Sequence, residues 1–379
     1  MIFHSCKSTV MYSQQRIFFD FLRFCIGTTD KIPPTLEGSD WQVLYGIAEK
    51  QALIGVLFHG IKQLPKELAP NSMLLMQWMG MAQKIRQQNA RLFKDSVIVC
   101  ARFKQDGFCN CILKGQGLSL LYPDPYMRTS GDIDIYLAGG RQKISKYVNS
   151  VCPEQVMRYH HIDFPVMKTS LEVHFTPSYM FFLLHNLRMQ EWLKKMMNLQ
   201  CSNIVTLPDG YGEITVPTTS FNVIYVLSHL YRHLFTEGIG LRQLLDYYFV
   251  LMNIDITDKT NNDDVKDVFE QTLKHLGLWK FAKAVMYVMK EVFWLPENKM
   301  IAPMDEKEGR FLLDEVIQGG NFGQYDDRMG NKVDESKVHR YFRMNIRNLR
   351  FVMHYPSDAI CEPVFRTWFA VWKKMHRIK

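Results

Sequence analysis

The chain has 379 residues, 47% hydrophobic and 13% aromatic, which is enough apolar surface for a sizeable core and excludes an intrinsically disordered protein. No apolar run approaches the roughly 18–20 residues that a transmembrane helix needs. The formal charge of +8 is concentrated: from Lys337 to Lys379 there are ten Lys/Arg against Asp358 and Glu362, and the remainder is balanced.

The first residues mix Arg16, Asp20 and Arg23 into their apolar patches and lack a signal peptide's continuous apolar region. The eight cysteines are scattered, with no paired metal-type spacing, so a reduced, cytoplasmic protein is expected. Residues 14–26 carry Ile17, Phe18, Phe21, Leu22 and Cys25 at helical spacing. Residues 40–60 predict a second helix or helix pair. Residues 72–105 have few breakers and predict one long helix, with Gly80 the point where it could bend. Its polar stretch at 83–89 reads as a solvated face.

Residues 109–113 read as a short strand, and Lys114-Gly115-Gln116-Gly117 as a turn opening a helix through Leu121. Backbone N–H groups at such a turn make an anion site, and glycine lets a phosphate approach. Pro123, Asp124 and Pro125 stop that helix. Residues 131–137, Gly-Asp-Ile-Asp-Ile-Tyr-Leu, alternate acid with apolar residue, so Asp132 and Asp134 share one strand face and Ile133 and Ile135 the other. Neither acid has a basic neighbour in sequence, and a divalent cation shared by both would offset their repulsion. Two solvated acids on an edge strand are the plainer alternative. With the turn upstream and Arg128 four residues before Asp132, the pattern suits metal-assisted phosphoryl or nucleotidyl transfer. A helix over 141–150 and two strands over 157–164 and 169–175 follow. Glu172 and His174 share a strand face; His160 and His161 could approach Glu172 or His174 within the strand pair, or read as ordinary sheet positions.

Leu113-Lys114-Gly115, Tyr122-Pro123, Arg128 and Gly131-Asp132-Ile133-Asp134 resemble a bacterial group of uncharacterised nucleotidyltransferases within the DNA polymerase β-like nucleotidyltransferase superfamily. The resemblance is specific over residues 109–176 and looser after 218. It implies an α+β fold, with a small mixed-sheet nucleotidyltransferase core at 107–217 flanked by helical regions at 1–106 and 218–379. It also implies Glu172 as the third carboxylate, so that Asp132, Asp134 and Glu172 would be catalytic and hold Mg²⁺ or Mn²⁺. Glu172 could instead be a general base supported by His174. Lys114, Gly115, Gln116, Gly117, Arg128, Ser130 and Gly131 would bind the nucleoside triphosphate. Gln116 stands where the superfamily has a small residue, and Lys114 would supply positive charge.

A helix over 180–197 and a hairpin over 203–216 around Asp209-Gly210 complete that region. Thr219 or Ser220 would cap a helix over 221–235. That helix holds His229 and His233 at i, i+4, a spacing open to core packing, cleft lining or zinc. The next helix carries Arg242 and Asp246, also i, i+4, able to pair with each other or to face the cleft. Arg340, Arg343, Arg347 and Arg350 form a stripe that suits a polyanion or is simply a solvated face.

These readings converge on nucleotidyl transfer to a hydroxyl-bearing acceptor: sugar, small molecule, protein or RNA. A catalytically silent binding module of the same fold, and a polyanion- or membrane-surface-binding protein centred on the basic tail, are the alternatives.

Overall fold

The computed structural model describes residues 2–254, 265–326, 328 and 336–375. Four helices come first: α1 (Ile2–Cys25), α2 (Trp41–Lys50), α3 (Ile54–Ile61) and α4 (Ser72–Gln105). Two of them start on local caps. The Asp40 carboxylate accepts from the backbone N–H of Gln42 and Val43, and Asn71 Oδ1 accepts from that of Leu74 at 3.0 Å. Such caps satisfy donors that the helix itself leaves unpaired. α4 is continuous across Gly80. Its polar stretch is not wholly solvated. Asn89 is buried and donates to the carbonyls of Tyr126 and Arg128, both at 2.7 Å, and Gln88 donates to that of Ser130 at 2.8 Å. The primary amides of Gln88 and Asn89 thus suspend the 126–130 loop from α4.

β1 (Asn110–Ile112), α5 (Gln116–Ser119), β2 (Ile133–Leu137), α6 (Gly140–Val151), β3 (His161–Asp163) and β4 (Leu171–His174) follow. The strands form a mixed sheet of order β1-β2-β4-β3, antiparallel at both edges and parallel between β2 and β4. Register sets Asp134 beside Glu172 and Tyr136 beside His174, with His161 opposite His174 and Asp163 opposite Glu172. Partners in register share a sheet face, and neighbours along a strand take the other. Ile133, Ile135, Ile162, Leu171 and Val173 therefore go into a core shared with α4 and α6, while the acids and histidines stand together on the opposite face. α5 is a single turn, shorter than the helix expected through Leu121.

After α7 (Leu183–Gln200), β5 (Ile204–Thr206) and β6 (Glu213–Thr215) pair as a hairpin turned at Asp209 and Gly210, with φ of 51° and 72°. The helical region comprises α8 (Thr219–Thr236), α9 (Leu241–Met252), α10 (Val265–His275), α11 (Trp279–Phe293), α12 (Glu306–Gly319), α13 (Lys337–Val352) and α14 (Pro356–Met375). Thr218, one residue earlier than expected, caps α8. The N- and C-terminal helices share one apolar core in which Phe18, Phe21 and Leu57 join Tyr225, Leu245 and Phe281. The described cysteines from Cys25 to Cys361 are free thiols. Among the described residues no helix is long and apolar enough to cross a membrane.

The arginines of α13 do not form one solvated stripe. Arg347 is buried and donates to the Leu234 carbonyl at 2.7 Å, and Arg350 pairs with Glu315 at 3.4 Å and Asp326 at 3.2 Å. Helical spacing did align them, but part of that face is where α13 packs against α8 and the end of α12. Arg340 remains exposed. Arg377 and Lys379 of the basic tail lie outside the described residues.

One buried ion pair joins the loop before β2 to α9. Arg128 donates from Nε and Nη2 to Asp246 Oδ1 and Oδ2, at 2.7 and 2.8 Å, and from Nη1 to Ser130 Oγ at 2.7 Å. Tyr122 Oη donates to Asp246 at 2.6 Å, whereas Arg242 is 3.6 Å away. Burial alone would push the Asp246 carboxyl up, but Arg128 holds it below its ordinary value. Removing one member of such a pair leaves a buried charge uncompensated. Arg128→Met should therefore destabilise the protein by about 3–5 kcal/mol in urea unfolding, and adding Asp246→Leu should recover a large part of that loss.

Candidate functional site

The charged face of the sheet opens into a cleft of about 900 Å³, closed on its other side by α8, α13 and α14. Asp134 lies at its centre. It is buried, with Oδ2 3.0 Å from Lys114 Nζ and Oδ1 2.8 Å from His174 Nε2. Burial works to raise its pKa, but Lys114 and His174 outweigh burial and hold the carboxyl well below the ordinary range. The repulsion that the sequence left without a basic partner is thus offset from within the chain: Lys114, twenty residues away, supplies the counter-charge. Asp132 precedes β2 and is exposed at the mouth. Its neighbour Asp134, and then partial burial, hold it up at about 6. Opposite environments let two acids two residues apart coexist, one carboxyl held below its ordinary range and the other above it.

Glu172 Oε2 lies 3.2 Å from His161 Nδ1 and 3.6 Å from His174 Nε2. Asp134, Glu172 and His174 offer donor atoms that all lie within 4.8 Å of one another, and so do His161, Asp163 and Glu172. His174 is raised: burial opposes its charge, but bonds to Asp134 and Glu172 prevail. His161 is pushed down to about 2 by burial and then by the charge of His174.

The turn after β1 is shaped by packing. Gly115 has φ of 49°, a conformation that L side chains rarely adopt. A Cβ on Gly117 would lie 2.8 Å from Val216 Cγ1, so that glycine serves close packing against Val216. Gln116 is buried and its amide donates to the Asp132 carbonyl at 3.4 Å, steadying the entry to β2. Lys114, Gly115, Arg128 and Gly131 line the cleft, whereas Gln116, Gly117 and Ser130 are not part of its lining. Arg128 reaches the cleft wall, but its guanidinium is committed to Asp246 rather than to Asp132.

His229 and His233 line the cleft, as do Arg242 and Asp246. Between the two histidines, Arg232 is buried, and this residue was not singled out from sequence. Its Nη1 donates to His160 Nε2 at 2.7 Å and its Nη2 to His229 Nδ1 at 3.1 Å, with the Tyr179 ring 5.1 Å from the guanidinium. An arginine has no acceptor, so these imidazole nitrogens must present lone pairs. Burial, and then Arg232 for His160 and Lys114 for His229, hold both histidines well below their ordinary pKa. Among the described residues no carboxylate lies within ion-pair distance of Arg232, and its Nε has no partner. His160, His161 and Asp163 also join the lining. The expected strand pair already allowed His160 and His161 to approach Glu172 or His174; Asp163 was signalled by the His161/Asp163 spacing, which mirrors Glu172/His174 on the next strand.

Residues 37–294 match the family described as uncharacterised nucleotidyltransferase. The chain belongs to this family. The family span holds the whole sheet, α8 and α9, and with them the acids, the histidines and Arg232; α13 and α14, which line the cleft opposite the sheet, lie beyond it. A crystal structure of an antigenic nucleotidyltransferase-like protein from Paracoccidioides brasiliensis is similar at 9% identity and a TM-score of 0.31, covering 57% of this chain and 96% of that one. No curated protein matches.

The electrostatics separate the two acids in stability measurements. The folded-state pKa of Asp132 is raised, so its charge disfavours folding above about pH 6, and this penalty fades as pH falls through that value. Without added metal, Asp132→Asn should melt higher than wild type at pH 8, with the gain shrinking towards pH 5. Asp134→Asn should behave oppositely: it forfeits charge-assisted bonds to Lys114 and His174 and should lose about 1.5–3 kcal/mol at pH 7.

Proposed function

We propose that this protein transfers a nucleoside monophosphate from a nucleoside triphosphate to a hydroxyl-bearing acceptor. The observation that carries the reading is the opposition, within the family span, of a carboxylate cluster on the sheet and the buried, carboxylate-free Arg232 on α8. Asp132, Asp134 and Glu172 suit a divalent cation such as Mg²⁺ or Mn²⁺, because hard carboxylate oxygens converge there and the exposed Asp132 can turn towards them. Bound there, such an ion would lower the pKa of the acceptor hydroxyl and neutralise charge on the triphosphate.

The chain's own groups do the rest. Arg232 offers a fixed guanidinium to phosphate oxygens, held in place by His160, His229 and Tyr179 so that little reorganisation accompanies binding. Lys114 spans Asp134 and His229, 3.0 and 3.2 Å away, and can pass from the carboxylate to an incoming phosphate. Should it not hold the ion, Glu172, partly exposed and 3.2 Å from His161, would instead take the acceptor's proton. Tyr159, Tyr179, Phe365 and Phe369 form an aromatic wall that a base or acceptor ring could stack on and that limits water. Arg340 and Arg366 stand at the α13–α14 side, where a polyanionic acceptor would approach.

One observation favours a second reading, a binding module of the same fold without turnover: the Lys114 ammonium already sits on Asp134, where a metal-bound carboxylate would need to be open. Thermal shift and transfer assays separate the two. A nucleoside triphosphate with Mg²⁺ or Mn²⁺ should raise the melting temperature by several degrees, since a ligand at a hundredfold excess over Kd contributes about 2.7 kcal/mol. Either component alone should do less, Asp132→Asn and Glu172→Gln should lose most of the shift, and label from the α-phosphate should reach an acceptor. A triphosphate shift indifferent to metal, with no transfer to any acceptor class, would establish the module instead.

A further inference from the structure

The donor atoms at the open edge of the sheet are not those of a carboxylate-only site. We infer that His161, Asp163 and Glu172 form a site for a first-row transition dication, Mn²⁺ or Zn²⁺ in type, that discriminates against Mg²⁺. The backbone already places the three residues. β3 and β4 run antiparallel with His161 opposite His174 and Asp163 opposite Glu172, so two imidazoles and two carboxylates occupy adjoining positions on one sheet face. His161, Asp163 and Glu172 bring donor atoms within 4.8 Å of one another. His174 Nε2 is 3.6 Å from Glu172 Oε2, and the His161 and His174 ring centroids are 5.0 Å apart.

The protons of this group can be accommodated around an ion. His174 Nε2 lies 2.8 Å from the ionised Asp134 carboxylate and donates to it, so His174 orients the acids and is not itself a ligand. His161 faces Glu172 through Nδ1 and Asp163 through Nε2, at 3.2 and 3.8 Å. The neighbouring His160 is excluded as a ligand, because its Nε2 accepts from Arg232 at 2.7 Å. The Asp163 side chain is 43% exposed, which gives an ion a way in from solvent. An imidazole with two carboxylates suits manganese, iron or zinc, whereas Mg²⁺ demands an octahedron of oxygens and sheds its water reluctantly.

The inference shares Glu172 with the nucleotidyl-transfer reading but does not require a triphosphate, so the test omits nucleotide. Mn²⁺ is titrated into the full chain, stripped of metal, and the free Mn²⁺ signal is followed by electron paramagnetic resonance, with Zn²⁺ and Mg²⁺ as competitors. One ion should be taken up per chain, displaced by equimolar Zn²⁺ but not by about tenfold more Mg²⁺. His161→Gln and Asp163→Asn should each weaken Mn²⁺ binding by at least about tenfold. The second change, at a half-exposed side chain, should leave the melting curve of the metal-free protein unaltered and so separates loss of a ligand from loss of fold. Asp132→Asn should retain most of the Mn²⁺ binding. Mg²⁺ competing as well as Zn²⁺, Asp163→Asn binding like wild type, or Asp132→Asn losing as much affinity as Asp163→Asn would each overturn the site. Mn²⁺ binding that persists while the triphosphate shift is absent would uphold it and remove only the transfer reaction.

Discussion

The buried pair between Arg128 and Asp246 decides where the acids of the sheet stand relative to the helices. Asp132 lies on the lead-in to β2, and that lead-in is fastened on two sides. Asn89 and Gln88 of α4 hold its carbonyls, and Asp246 of α9 holds Arg128. Gly55 makes the third approach possible: a Cβ there would come 2.3 Å from the Met127 carbonyl oxygen, so α3 can press against the loop only with glycine at that position. A buried ion pair contributes little net stability compared with apolar packing, but one that satisfies both carboxylate oxygens fixes a geometry. Here that geometry joins the loop before β2 to α9, and both residues line the cleft without touching Asp134 or Glu172.

Charge is distributed across the cleft in a way that a carboxylate cluster alone would not allow. Asp134 is kept ionised by Lys114 and His174, and the Asp132 carboxyl is held above its ordinary range by the charge of Asp134. On the facing helix, Arg232 has imidazoles around it instead of acids, and those imidazoles stay neutral because the guanidinium needs acceptors. The two walls therefore do not cancel each other. A ligand carrying both phosphate and a metal-coordinating group meets complementary charge on each side, and a nucleoside triphosphate with its cation has that character. The commitment of Lys114 to Asp134 marks the same point from the other side: whatever binds must compete with an internal ammonium for that carboxylate.

What the sequence by itself determined were the features with local causes. Alternation over residues 131–137 dictates which side chains share a face, because a strand has a period of two whatever surrounds it. Asp40 and Asn71 cap helices through bonds spanning two or three residues, and Asp209-Gly210 turns a hairpin because both adopt positive φ. The glycine, lysine and acid spacing over 113–134 carries the family pattern in the same way. Tertiary structure alone decided the partners. Lys114 meets Asp134, Arg128 meets Asp246 and Asn89 meets the 126–128 loop across 20 to 118 residues of chain, and no local rule selects among the acids and carbonyls at such separations. The arginines of α13 show this most plainly. Their spacing put them on one helix face, but burial of Arg347 and pairing of Arg350 depend on what packs there. On their own strand His160 and His161 read as sheet positions that could approach Glu172 or His174; strand pairing set His161 against His174, and helix packing brought Arg232 to His160. Local periodicity is fixed by backbone geometry, but the pKa of a side chain and its metal-binding capacity depend on the distant groups that folding brings within a few ångströms.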